Sequence, residues 1–159
     1  MLAIGLVLAG CGKANPGREE APGAGAALEQ AAVAAGIVGD SATLNPVGAY
    51  SSETDRVCIV PLGDGYRIGA SVDYGDRQSC VARGVASGRE TLRLEFGEAC
   101  TFAARFDGKH VVFPATLPPA CDSRCTGRAT LTAVSASRLS NAEAEARAMR
   151  APDGRPLCG

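Results

Sequence analysis

Tryptophan is absent, and only three Tyr and four Phe are spread over the 159 residues of the chain. Such scarcity disfavours recognition by ring stacking, whether on sugars or on bases. Histidine occurs once, as His110, so any Ser-His-Asp or Cys-His mechanism would have to run through that imidazole. Neither sign of charge is in excess: a formal net charge of −1 gives no basic field for nucleic acid and no acidic face for cationic partners. The apolar run at residues 2–9 falls well short of the roughly 20 residues that span a bilayer. A zinc site lacks ligands, because the Cys-x3-Cys spacing of Cys121 and Cys125 has no second close pair beside it. Neither a metal nor another cofactor is expected. The "GDG" at 63–65 reads as a hairpin turn and not a phosphate loop, since no helix follows it.

What the chain does have is cysteine, and an odd number of it: seven. Cys11 stands directly behind the apolar run, and Leu8-Ala9-Gly10-Cys11 resembles the lipobox of bacterial lipoproteins at all four positions. The resemblance implies cleavage before Cys11, transfer of a diacylglycerol to its thiol and acylation of the new amine, so that residues 1–10 are a signal peptide. No Lys or Arg precedes the apolar run, as an n-region usually requires; a start codon assigned downstream of the true one would account for that. The competing reading is a buried N-terminal helix whose cysteine joins a disulfide. In the lipoprotein family an Asp after the cysteine favours retention in the inner membrane. Gly12 at that position implies the outer membrane, with the protein facing the periplasm. Each buried acyl methylene contributes about 0.8 kcal/mol, and two or more chains anchor stably. Residues 11–25, rich in Gly, Pro, Ala and charge, then read as a lipidated tether with a reach of about 20 Å.

Cys58, Cys80, Cys100, Cys121, Cys125 and Cys158 remain, an even set in an oxidising compartment, and three disulfides are expected. A core of Ala, Val and Leu with few rings needs such staples. Residues 26–159 read as one β domain. A short helix is predicted at 26–35, where Leu28, Ala31, Ala32 and Ala35 recur at helical spacing, and another at 141–150, where Ser140 and Glu143 form a capping-box pattern. Between them the period is two, and turns recur every eight to twelve residues or so. The predicted strands are 57–60, 66–74, 79–86, 92–96, 102–106, 110–113 and 129–137. Asp107-Gly108 is a two-residue hairpin signal that sets Ala104 opposite Val111 and Phe102 opposite Phe113, with both apolar sets on one face. The fold class is mainly β: a small antiparallel meander barrel or curved sheet with a short helix at each end, and a two-sheet sandwich as the alternative.

The same register predicts that His110 faces Arg105 and has no carboxylate to orient it, which argues for an exposed strand histidine and against a general base. "CDSRC" is the more informative stretch. A disulfide from Cys121 to Cys125 would hold Asp122, Ser123 and Arg124 on a rigid tip of the longest loop, with Arg128 extending the patch; the plain alternative is that it only tidies a surface loop. The other expected pairs are Cys58 with Cys158, which lays the tail from Ala151 to Gly159 beside the first strand, and Cys80 with Cys100. The latter lie about 9.6 Å apart on a flat sheet, past the roughly 7 Å limit, so that the sheet would have to bend.

The β region, with "FDGKHVVFP", "CTGRATL" and "PDGRPLCG", resembles small uncharacterised lipoproteins of alphaproteobacteria, a likeness that implies no particular activity. The expected function is a non-catalytic, lipid-anchored binding module that meets a protein or small ligand in the periplasm. Periplasmic inhibitors of c-type lysozymes are similar to it in architecture alone. An envelope hydrolase would instead need Asp73, Glu95 or Asp107 paired within a cleft, and a structural partner in an outer-membrane assembly would show an exposed apolar patch on the barrel or the N-terminal helix.

Overall fold

In the computed structural model, residues 23–35 and 43–159 are described. Residues 1–22, on which the expected signal peptide, Cys11 and most of the expected tether fall, lie outside them. The elements are a helix α1 (Ala24–Ala34), strands β1 (Gly48–Ser51), β2 (Asp55–Leu62), β3 (Gly65–Asp73), β4 (Ser79–Gly88), β5 (Thr91–Glu95), β6 (Thr101–Phe106), β7 (His110–Val112) and β8 (Ser135–Ser140), and a second helix α2 (Glu143–Ala148). Each strand pairs antiparallel with the next, and β8 returns to β1, so that eight strands close into a barrel in sequence order. A meander barrel is thus the fold, and neither an open sheet nor a sandwich.

Strict alternation drives the closure. Val57 and Ile59 of β2, Ile68, Ala70 and Val72 of β3 and Leu92 and Leu94 of β5 share one buried cluster with Tyr50, Phe106 and Val111. With eight strands the bore is just wide enough for side chains to fill it, and these fill it. On the outside, Ala49, Cys58 and Val60 form a second cluster with Ala146 of α2 and with Ala151, Leu157 and Cys158 of the tail. This explains why "VCIV" reads as a continuous apolar run: both of its faces are covered. Gly69 of β3 marks the tail's seat, since a Cβ there would stand 2.3 Å from the Leu157 carbonyl oxygen. The disulfide Cys58–Cys158 ties the seat shut, as expected from the sequence.

Several boundaries differ from the sequence reading. There are eight strands and not seven: β1 was not foreseen, and the strand predicted at 129–137 is β8 at Ser135–Ser140, preceded by turns. The turn after β4 falls at Arg89-Glu90, two residues beyond the expected place, because β4 runs on to Gly88. At the next hairpin Phe106 pairs with Val111, a shift of two residues from the predicted register. Its cause is the Asp107 carboxylate, whose Oδ1 accepts the backbone N–H of both Lys109 (2.8 Å) and His110 (2.6 Å) and builds a wider turn. A shift of two preserves the facing, so Ala104, Val111 and Phe113 are buried, and Phe102 packs half-buried against the same core. α2 is shorter than 141–150, and the capping box does not form: Ser140 Oγ accepts the N–H of Ala142, which is itself the N-cap.

The disulfides need the largest correction. Cys121 does not bond Cys125, and Cys80 does not bond Cys100; the pairs are Cys80–Cys125 and Cys100–Cys121. A 3-10 turn at Pro119–Arg124 buries Cys121, while Cys125 runs extended and forms a single antiparallel bridge with Cys80. The two cysteines nearest in sequence therefore bond different parts of the barrel, Cys125 the start of β4 and Cys121 the turn after β5.

Candidate functional site

The barrel has two unlike ends. The turns at 52–54, 74–78 and 96–100 and the segment 113–134 lie at one, here called the tip end; the turns at 63–64, 89–90 and 107–109 and the incoming residues 43–47 lie at the other, the root end.

At the tip end the 113–134 segment folds over the bore. Ala129, Leu131 and Val134 are buried beneath it, and Phe96, Phe102 and Phe113 cluster there with centroids 5.0–6.2 Å apart. The Thr126 hydroxyl donates to the Arg77 carbonyl (2.8 Å), and the Thr126 N–H donates to the Ser79 carbonyl (2.8 Å). Asp122, Ser123 and Arg124 are the three residues between the anchored cysteines, and all three are exposed, as is Arg128. The Ser123 hydroxyl donates inward to the Ala120 carbonyl (2.8 Å). Arg124 lies over Gly97, where a Cβ would meet its Nη2. No ion pair engages Asp122, Arg124 or Arg128 among the described residues. The predicted tip is therefore present and exposed, but two disulfides, one to β4 and one to the turn after β5, hold it in place of one local bridge.

A cavity of about 390 Å³ opens beside this end, lined by Asp73, Asp76, Arg77, Thr126 and Asp153 among others. Two of its three carboxylates are occupied: Asp73 accepts the Gly75 N–H, and Asp153 bridges Arg83 (3.2 Å) and Arg155 (2.8 Å). Hydrogen bonds from Arg155 hold the Asp153 carboxyl below its usual range. Glu95 pairs with Arg93 on the outer face. The three carboxylates that a hydrolase would need together thus lie apart.

His110 departs from expectation. Its Cα partner is Ser137 on β8, not Arg105, and its Nδ1 lies 3.0 Å from Asp107 Oδ2. A carboxylate therefore does orient the imidazole. Partial burial opposes ionisation of Asp107, but the N–H groups of Lys109 and His110 and the imidazole outweigh it and hold the carboxyl below its usual value. Both side chains are nearly half exposed, and His110 lines neither of the two cavities described. The arrangement can fix one tautomer and hold the hairpin; it encloses no substrate.

The root end holds a residue that sequence reasoning missed. Arg138 lies 5.0 Å from the Tyr50 ring centroid and 5.2 Å from that of Phe106, and donates to the carbonyls of Asn45, Val47 and Gly108. Burial pushes the Tyr50 phenol far above its usual range, with Arg138 pulling the other way, and its hydroxyl donates to the Pro46 carbonyl (2.6 Å). An Arg in phase with inward-facing Ala136 was the available signal. Among the described residues no cluster of His, Cys, Asp and Glu could hold a metal, and no helix is long and apolar enough to cross a membrane. No family model, no curated protein and no solved structure matches the chain.

Proposed function

We propose that the protein is a lipid-anchored envelope protein, held through acylated Cys11 on the periplasmic side of the outer membrane. Its barrel is a non-catalytic binding module that presents Asp122, Ser123, Arg124 and Arg128 to a protein or small ligand. One observation carries the binding reading: the exposed residues 122–124 are clamped on both sides by disulfides to different parts of the barrel. A site fixed before contact loses less entropy on association. With the bore filled by side chains, recognition falls to the surface.

The test is capture from periplasmic extract by the wild-type chain and by a variant with Asp122, Ser123 and Arg124 all replaced by Ala. Loss of a captured partner in the triple variant, with its retention by Asp64→Ala at the root end, supports the tip as the site. Full retention by the triple variant refutes it.

One observation favours a second reading, that of a structural partner in an outer-membrane assembly. No residue of α1 is buried, and Leu28 is 72% exposed. Site-specific cross-linking from Leu28 to an outer-membrane component, unchanged in the triple variant, would establish it.

A further inference from the structure

We infer that the root end of the barrel rests on the lipid bilayer, with Leu62, Val85 and Leu139 entering its interfacial layer; this depends on the acyl anchor proposed above. Five large apolar side chains stand exposed on the described residues, and three of them, Leu62 (44%), Val85 (43%) and Leu139 (67%), lie toward this one end. Singly, such residues are ordinary on a protein surface. Their placement is what requires a reason. Leu62 ends β2 opposite Gly65, and Val85 faces outward between Arg67 of β3 and Glu95 of β5, three residues short of the end of β4. Leu139 faces outward by the alternation that turns Ala136 and Arg138 into the bore, and it stands at a bulge, where Ala49 pairs with Ser140 while Tyr50 pairs with Arg138 and the residue between has no ladder partner.

The chain itself arrives at the same end. Residues 43–47 lead directly into β1 there, so the link to Cys11 joins the barrel where the three side chains project. Charge agrees with this orientation. At the root end the turns carry Asp64, Glu90 and Asp107 against Arg89 and Lys109, with Arg138 just inside β8, whereas the tip-end turns and strand ends carry seven carboxylates (Glu53, Asp55, Asp73, Asp76, Glu95, Glu98 and Asp122) against only Arg77, Arg124 and Arg128. An anionic lipid surface therefore repels the tip end and tolerates the other. A cavity of about 340 Å³ opens within the same rim, lined by Thr43, Asn45 and Arg89 as well as by Leu44, Val47, Pro61 and Tyr66. A protein held this way points its disulfide-clamped tip away from the membrane.

Because the chain has no tryptophan, single substitutions Leu62→Trp, Val85→Trp, Leu139→Trp and, as the opposite-end control, Tyr74→Trp each give one reporter. The acylated full-length protein is reconstituted into vesicles of phosphatidylethanolamine and phosphatidylglycerol bearing brominated chains, beside unbrominated ones. The expected result is a blue shift and strong quenching at 62, 85 and 139 and neither at 74. Thermal unfolding screens each variant, and Leu139→Trp, which replaces an unpaired residue, serves if another fails to fold. Flotation of the acylated protein with the vesicles, lost in Cys11→Ser, is read on the same samples. Absence of flotation overturns the anchor and this inference together. Flotation with no quenching at the three positions, or with equal quenching at 74, overturns the inference alone. Quenching that a bound envelope protein relieves at those positions would reassign the rim to a protein partner.

Discussion

Replacing Gly69 with Ala tests whether the tail is a built part of the barrel wall. The added Cβ would stand 2.3 Å from the Leu157 carbonyl oxygen and 2.7 Å from Leu157 Cγ. Neither neighbour can withdraw easily, since Leu157 N–H donates to the Met149 carbonyl (2.9 Å) and the next residue is disulfide-bonded to Cys58. Overpacking of a close-packed site costs about 1–3 kcal/mol, and this tether places the substitution at the upper end, about 3 kcal/mol. Leu157→Ala, which empties a buried site, should cost about 2–5 kcal/mol. The double variant is the discriminating measurement. Removing Cγ relieves one clash but leaves the carbonyl contact, so urea unfolding of the two single variants and the double should show a coupling of about 1 kcal/mol that falls short of full rescue. A Gly69→Ala cost within about 0.5 kcal/mol, as for an ordinary surface position, or complete rescue by Leu157→Ala, would refute the seating of the tail on β3.

Peptide mapping without reductant should join Cys80 to Cys125, Cys100 to Cys121 and Cys58 to Cys158, and because trypsin cuts after Arg124, a fragment joining Cys121 to Cys125 would be recognised at once and would refute the two-disulfide clamp. Cys11→Ser should abolish labelling by palmitate and leave an uncleaved precursor; equal labelling would end the lipoprotein reading. Arg138→Met should lower stability by about 3 kcal/mol through three lost carbonyl contacts and two ring contacts, read by thermal unfolding, with Arg138→Lys giving little rescue. The Asp107 carboxyl is held below its unfolded value of about 3.9, so its contribution is present above that pH and is lost as pH falls through the folded value; Asp107→Asn should flatten this acid limb, and an unchanged limb would deny the turn its carboxylate.

How much of this was legible depends on which physical signal each element carries. Leu92 to Glu95, with one wet face, announces itself by alternation, and Ile68, Ala70 and Val72 of β3 point inward as their pattern predicts, although Gly69 and Ser71 on its outer face are buried as well. β1 has four residues, too few for a period to register. The sequence of 129–133 alternates as a strand would, and Ala129 and Leu131 are buried accordingly, but at Ala133 the backbone takes a positive φ of 56°, so that Ala133 is exposed and Val134 is buried, and the stretch covers the end of the barrel without joining the ladder. Alternation does not report whether the backbone is paired. The hairpin at Asp107 shows the same division: its facing followed from pattern, while its length was set by a carboxylate accepting two N–H groups, a local bond with no periodic trace. Disulfide pairing was the least accessible. Cys58–Cys158 follows by elimination from two other pairs; of those, Cys121–Cys125 fails because nearness along the chain is not nearness in space, and Cys80–Cys100 fails because it rests on a register whose turn after β4 is displaced by two residues.

That error bears on where recognition can occur. A single bridge between Cys121 and Cys125 would have left the tip as a small ring swinging on a long loop. The observed pairs instead bind the 3-10 turn to β4 through Cys80 and to the turn after β5 through Cys100, so residues 122–124 move only as the barrel moves. At the root end no disulfide serves this purpose, and Arg138, Tyr50 and Phe106 close the bore by contacts alone. Covalent closure has thus been placed at the end that presents exposed, unpaired charges, and non-covalent closure at the end where the chain arrives and its apolar rim projects. A fold whose interior is full can acquire a binding function only on its surface. Of its two ends, the one with fixed polar side chains suits a specific partner, and the one with scattered leucines suits a fluid, unspecific phase.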